Sequence, residues 1–151
     1  MDKGYYKSGG EATFQGGEPT LMPHFDELIK LFSDNGTIVR IHTSAIKYSS
    51  SVEEALKNNK GTVVTSLDCG CRETYKKIKN IDAYNKVLET LDKYVSSDKD
   101  NVFLKYIIIP GINDNMQEID KFFKVVKNLN IKTVALDIEV QYARKYNNND
   151  I

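Results

Sequence analysis

Glu11-Ala12-Thr13-Phe14-Gln15-Gly16-Gly17-Glu18-Pro19-Thr20-Leu21 is the stretch on which the fold turns. Glu11 to Gln15 reads as a short strand, and it runs straight into two glycines, a glutamate and a proline. A helix follows over 22–34, because Phe25, Leu28, Ile29 and Phe32 fall at i, i+3, i+4 and i+7. Pro23 suits its first turn and Gly36 its C-terminal cap. A strand, a polar turn and a returning helix make one β/α unit.

The rest of the chain repeats that unit. Thr37 to Thr43 is the second strand. Ser51-Val52-Glu53-Glu54 has capping-box spacing and opens a short helix ending near Gly61. Thr62 to Leu67 is the third strand. A polar loop with one helical turn (72–79) leads to a strong helix at 82–96, whose stripe is Tyr84, Val87, Leu88, Leu91 and Val95. Val102 to Ile109 is a continuous apolar strand stopped by Pro110-Gly111. The helix at 115–129 buries Ile119, Phe122, Phe123, Val126 and Leu129, and Ile131 to Ile138 is the last strand. Strands joined through helices run parallel with right-handed crossovers. The fold class is α/β: an open doubly wound sheet, or a partial TIM-like (β/α) barrel of about five parallel strands with helices on its outer face. Residues 1–10 read as an irregular segment, 11–139 as the barrel unit and 140–151 as a polar tail.

Lys plus Arg and Asp plus Glu both number 21, so the formal net charge is zero. That balance speaks against an electrostatic nucleic-acid binder. No apolar run approaches the roughly 20 residues that span a bilayer, and the N-terminus has no signal-peptide core. The expected compartment is the cytoplasm. Cys69 and Cys71 stand too close together to staple distant segments, and free thiols fit a reducing environment.

Each strand ends in polar or glycine residues: Gly16-Gly17-Glu18-Pro19, His42-Thr43-Ser44, Ser66-Leu67-Asp68, Pro110 to Asp114, and Asp137-Ile138-Glu139. In parallel α/β folds the carboxyl ends of the strands converge on one rim, where ligands bind. One such end is an ordinary polar loop; five together predict a composite site. Gly16-Gly17 lets a ligand approach the backbone, and Glu18 offers a carboxylate to an ammonium group. A phosphate loop is disfavoured, since no Lys, Ser or Thr follows the glycines as a P-loop requires. His42 is either a rim residue or half-buried on its strand. His24 reads as a surface residue, the Lys76-Lys77-Lys79 cluster as a solvated helix face, and the cysteines as unremarkable thiols.

Thr13 to Leu21 resembles the second-strand motif of the radical S-adenosylmethionine superfamily. Similar segments follow in the family's order: Ile41 to Ser44, Thr65 to Asp68 with Arg72 to Tyr75, and Tyr106 to Asp114. The nearest resemblance is to the branch containing molybdenum-cofactor biosynthesis protein A, over residues 11–139. It implies a six-stranded partial barrel with its site on the carboxyl rim. Gly16, Gly17 and Glu18, followed by Pro19, would meet the methionine amino group of S-adenosylmethionine. Thr43, Ser44, Ser66 and Asp68 would line its ribose or methionine side. Ile109, Gly111 and Ile112 would flank the adenine, and Asp137 and Glu139 would point toward a small-molecule or peptide substrate. An intact member would generate a 5′-deoxyadenosyl radical for hydrogen abstraction.

The departure from the family is the cluster loop. Its C-x-x-x-C-x-x-C motif holds a [4Fe-4S] cluster, and it would precede residue 11, where this sequence has no cysteine. The resemblance therefore implies a fragment lacking the cluster segment and the first strand, unable to bind the cluster or to cleave S-adenosylmethionine. The first-strand edge is then open, which favours a homodimer. The alternative is a non-catalytic, degenerate barrel that binds a nucleotide-like ligand or a protein partner.

Overall fold

The computed structural model describes residues 9–139. The expected N-terminal segment, apart from residues 9 and 10, and the expected C-terminal tail lie outside that range. Five strands, β1 (Glu11–Phe14), β2 (Ile38–His42), β3 (Gly61–Ser66), β4 (Val102–Ile108) and β5 (Thr133–Ile138), alternate with helices α1 (Phe25–Asp34), α2 (Ser50–Lys57), α3 (Arg72–Lys79), α4 (Tyr84–Ser97) and α5 (Met116–Asn128). A 3-10 turn, Pro19–Leu21, leads into α1. The strands form one parallel sheet in sequence order. That order with right-handed crossovers puts every helix on one face, and α1 packs on α2, α2 on α4 and α3 on α4.

Strand alternation then divides the residues. Val39 and Ile41 of β2, Val63 of β3, and Val102, Leu104 and Tyr106 of β4 are buried against the helices. Arg40, His42, Ser66 and Lys105 occupy the alternate positions and stand on the opposite, concave face.

The amino-terminal side of the sheet is built by one repeated device. Helix α1 ends with Gly36 at φ 77°, and Thr37 N–H bonds to Phe32 C=O at 3.0 Å. Asn59 at φ 54° ends α2, with Lys60 N–H to Ala55 C=O at 2.8 Å. Asn130 at φ 54° ends α5, with Ile131 N–H to Val126 C=O at 3.0 Å. Each is a Schellman cap, which satisfies the last helical carbonyls and turns the chain into the next strand within two or three residues.

Two helix beginnings and one helix length differ from the sequence expectation. Helix α1 starts at Phe25, not residue 22, and Pro19 rather than Pro23 occupies a first-turn position, that of the 3-10 turn. Ser49, not Ser51, caps α2 by accepting the Val52 N–H at 3.2 Å. The Ser51 hydroxyl donates instead to Asp26 on α1 at 2.6 Å. Residues 72–79 form a two-turn helix in place of a single turn.

Candidate functional site at the carboxyl rim

The loop after β1 climbs through Gly16 at φ 87° and Gly17 at φ 58°, backbone that only glycine adopts freely. Both are exposed, and a Cβ at either would meet nothing within 4 Å. Their conformation shapes the turn, and the space above them is open. Pro19 and Thr20 behind them are buried.

Glu18 is the keystone of this corner. Its Oε1 accepts from Thr43 Oγ1 at 2.6 Å, from Thr20 Oγ1 at 2.7 Å and from Thr20 N–H at 3.2 Å. Its Oε2 accepts from Ser44 N–H at 2.6 Å and from the Ser44 hydroxyl. A carboxylate has about four lone-pair positions, so the protein itself fills them. Burial works to raise the Glu18 pKa, but the bonds from Ser44, Thr43 and Thr20 outweigh it and hold the group below its ordinary 4.5. The hydroxyls of Thr43 and Ser44, expected to line a ligand, thus spend themselves on locking the β1 loop to the end of β2. A fixed negative charge lies directly behind the open glycine backbone.

Beyond β3 the structure gives Asp68 a supporting part. It is buried at φ 61°, and Oδ1 accepts the Ile107 N–H at 2.8 Å. Its Oδ2 pairs with Lys79 at 2.5 Å, so Lys79 leaves the solvated lysine face that the sequence suggested. Ser66 is half-buried on the concave face, in register with Lys105.

Asn113, fully buried, holds the β4 corner and was not singled out as a site residue. Its amide donates to Asp68 C=O at 2.7 Å and Ile107 C=O at 2.8 Å, and its Oδ1 accepts the Ile109 N–H at 2.6 Å. The Tyr106 hydroxyl donates to its backbone carbonyl at 2.6 Å. Ile109, Gly111 (φ 75°) and Ile112 are thereby presented at the rim between β3 and β5. An Asn in a Pro-Gly-x-Asn turn is the one sequence signal that could have flagged it, since its side chain mimics a backbone turn. Asp137 faces the concave side and pairs with Lys105 at 2.7 Å. His24 lies exposed beside Glu27, as expected.

Among the described residues no three His, Cys, Asp or Glu side chains are placed to share an ion. Cys69 is fully buried, and burial pushes its thiol pKa up to about 12. The described residues therefore do not fit an iron–sulfur cluster, which needs accessible thiolates.

A parallel sheet with one-sided helices, an open glycine backbone and a fixed carboxylate at its carboxyl rim define an α/β domain with its candidate site on that rim. The profile of the Radical SAM superfamily matches residues 3–125, and the chain belongs to that superfamily. It is 31% identical over 127 residues to a GTP 3',8-cyclase of Clostridium botulinum, covering 83% of this chain and 39% of that protein. It is 29% identical over 137 residues to a pyruvate formate-lyase-activating enzyme of Clostridium pasteurianum, covering 86% of this chain and 54% of that protein. The chain thus spans about two-fifths to a little over half of these relatives. The structure of Streptococcus suis SuiB bound to S-adenosylmethionine superposes with a TM-score of 0.69 at 16% identity, covering 85% of this chain and 29% of that one. That likeness establishes the fold: a partial TIM-type barrel. Among the described residues no helix is long and apolar enough to cross a membrane.

Proposed function

We propose that the carboxyl rim binds S-adenosylmethionine, as part of a radical S-adenosylmethionine enzyme core. The observation that carries this reading is the Glu18 corner: an anionic carboxylate fixed by five donors behind an open Gly16-Gly17 backbone. The ammonium of the methionine end would meet the glycine carbonyls, with the Glu18 charge behind them. Charge-assisted contacts of this kind are about twice as strong as neutral ones. Ser66 faces the methionine and ribose side. The turn from Ile109 to Ile112, clamped by Asn113, offers apolar surface and backbone to the adenine. In the family, bound S-adenosylmethionine supplies a 5′-deoxyadenosyl radical that abstracts hydrogen from a substrate. With only two cysteines in this sequence, that chemistry requires the three-cysteine loop from elsewhere.

Calorimetric titration of the chain with S-adenosylmethionine tests the binding. Saturable binding is expected, weakened at least tenfold in Gly17→Val, whose β-branched side chain disfavours the required φ of 58°. Absence of saturable heat would contradict the reading. After anaerobic reconstitution with iron and sulfide, the chain is expected to hold no stoichiometric cluster and to release no 5′-deoxyadenosine. Stoichiometric iron with a visible charge-transfer band would show that the cysteine count misleads.

A further inference from the structure

A TIM-type barrel whose interior is a packed core fills it with bulky branched side chains. The concave face here is different. Below the rim, the sheet places Arg40, His42, Thr62, Ser66, Lys105 and Asp137 on one surface, interleaved with the apolar Ile38, Val64, Phe103 and Ile107. Ser44, whose hydroxyl bonds to Glu18, lies two residues beyond His42 on the same strand direction, roughly 7 Å along it. This polar floor therefore sits directly beneath the corner described above.

Its charges are unevenly committed. Arg40 Nε donates to Glu11 at 2.8 Å, which leaves the four N–H groups of its two Nη atoms. Lys105 pairs with Asp137 at 2.7 Å, yet the lysine side chain is only 29% exposed and the aspartate 56%. Partly exposed pairs of this kind are weak, so an incoming anion can share or displace each carboxylate. His42 lies two residues from Arg40 on β2, and Lys105 lies two strands away on β4. The His42 pKa is lowered by burial first, then by Arg40 and Lys105. The remaining charged groups near this floor are Glu11 on β1, Asp137 and Glu139 on β5, and Glu18 at the rim.

We propose that this floor is an anion-binding subsite, and that the molecule acted on carries a phosphate or carboxylate group seated against Arg40, His42 and Lys105. The inference rests on the reading of the rim as the S-adenosylmethionine site, because that places the floor next to the reacting centre. An anion there is held by a guanidinium, an ammonium and an imidazole N–H, and its arrival favours the imidazolium.

The test is heteronuclear NMR of the full chain, reading the His42 imidazole and the Arg40 Nε–H during separate titrations with inorganic phosphate and with acetate. Chloride at matched ionic strength is the reference. A saturable shift with either anion, together with a rise in the His42 pKa, is the expected result. The anion that acts more strongly identifies the group as phosphate or carboxylate. In Lys105→Met, and in Arg40→Gln as a second variant, the apparent affinity should fall at least fivefold. A response no larger than that to chloride, or one unchanged in both variants, overturns the proposal. S-adenosylhomocysteine added to the same sample reports separately at Gly16 and Gly17, so failure of the rim and failure of the floor are told apart.

Discussion

Glu18 joins two loops whose anchoring residues, Glu18 and Thr43, are 25 positions apart in sequence. Its folded-state pKa is lowered from 4.5. The unfolded chain therefore binds the proton more tightly, and the stability Glu18 contributes is complete above the ordinary carboxylate range and lost as pH falls through the folded value. Glu18→Gln is expected to cost about 2 kcal/mol at pH 7, by removing charge-assisted bonds. It should also flatten, without abolishing, the loss of stability below pH 4.5, since Asp26, Glu53 and Glu118 are lowered too. Urea midpoints at a series of pH values measure both effects; an unchanged acid limb would show that the corner is not the anchor. Asn113→Ala is expected to cost about 3 kcal/mol, because it strands a buried N–H and two carbonyls. A change under 1 kcal/mol in urea unfolding would mean that water replaces the amide. Gly16 to Glu18, Thr43 and Ser44 were legible from their places at strand ends. The Lys79 bond to Asp68 was not, because its 11-residue separation leaves no periodic trace.

At the scale of elements, the strands were readable because β2 to β5 carry β-branched apolar residues and every strand runs out into polar or glycine residues. Helix starts were less so. The capping box at Ser51 fails because Ser49, held by Asp26 of α1 and the Tyr94 hydroxyl of α4, takes the cap and leaves Ser51 inside α2. Tertiary partners decided that cap, and no local rule contains them. Gly70 shows the same limit at a packing contact. A Cβ there would lie 2.1 Å from the Lys121 carbonyl carbon and 2.2 Å from Phe122 N. Helix α5 therefore packs against the loop after β3 through bare backbone. Gly70→Ala should force α5 outward and loosen the Tyr106–Phe122 ring contact, whose centroids are 4.6 Å apart. We expect a loss of about 3 kcal/mol, read as a lower urea midpoint with weakened tyrosine near-ultraviolet dichroism. Wild-type stability would show that α5 shifts freely.

The described residues form a curved layer with two sheet margins, β1 and β5. Among the described residues β1 pairs only with β2, and β5 only with β4. On β5, Leu136 and Ile138 are 61% and 59% exposed. Uncovered strand edges and apolar side chains favour association. We expect the chain to form a homodimer through the β1 edge, the margin where the family's first strand would pair. Light scattering with a Thr13→Pro variant tests this. Pro at an edge removes a donor, so the variant should be monomeric; a monomeric wild type would refute the expectation. The order of the strands and the one-sided helices were readable from strict alternation, whereas the polar concave face was not, because which face each strand turns inward depends on register. The account stands most directly on where a ligand sits. Amide chemical-shift mapping with S-adenosylhomocysteine should perturb Gly16, Gly17, Ser44, Ser66 and the Ile109–Ile112 turn as one contiguous patch. Shifts confined to another surface, such as the cleft of about 610 Å³ lined by Ile46, Arg72, Ile81 and Lys86, would contradict it.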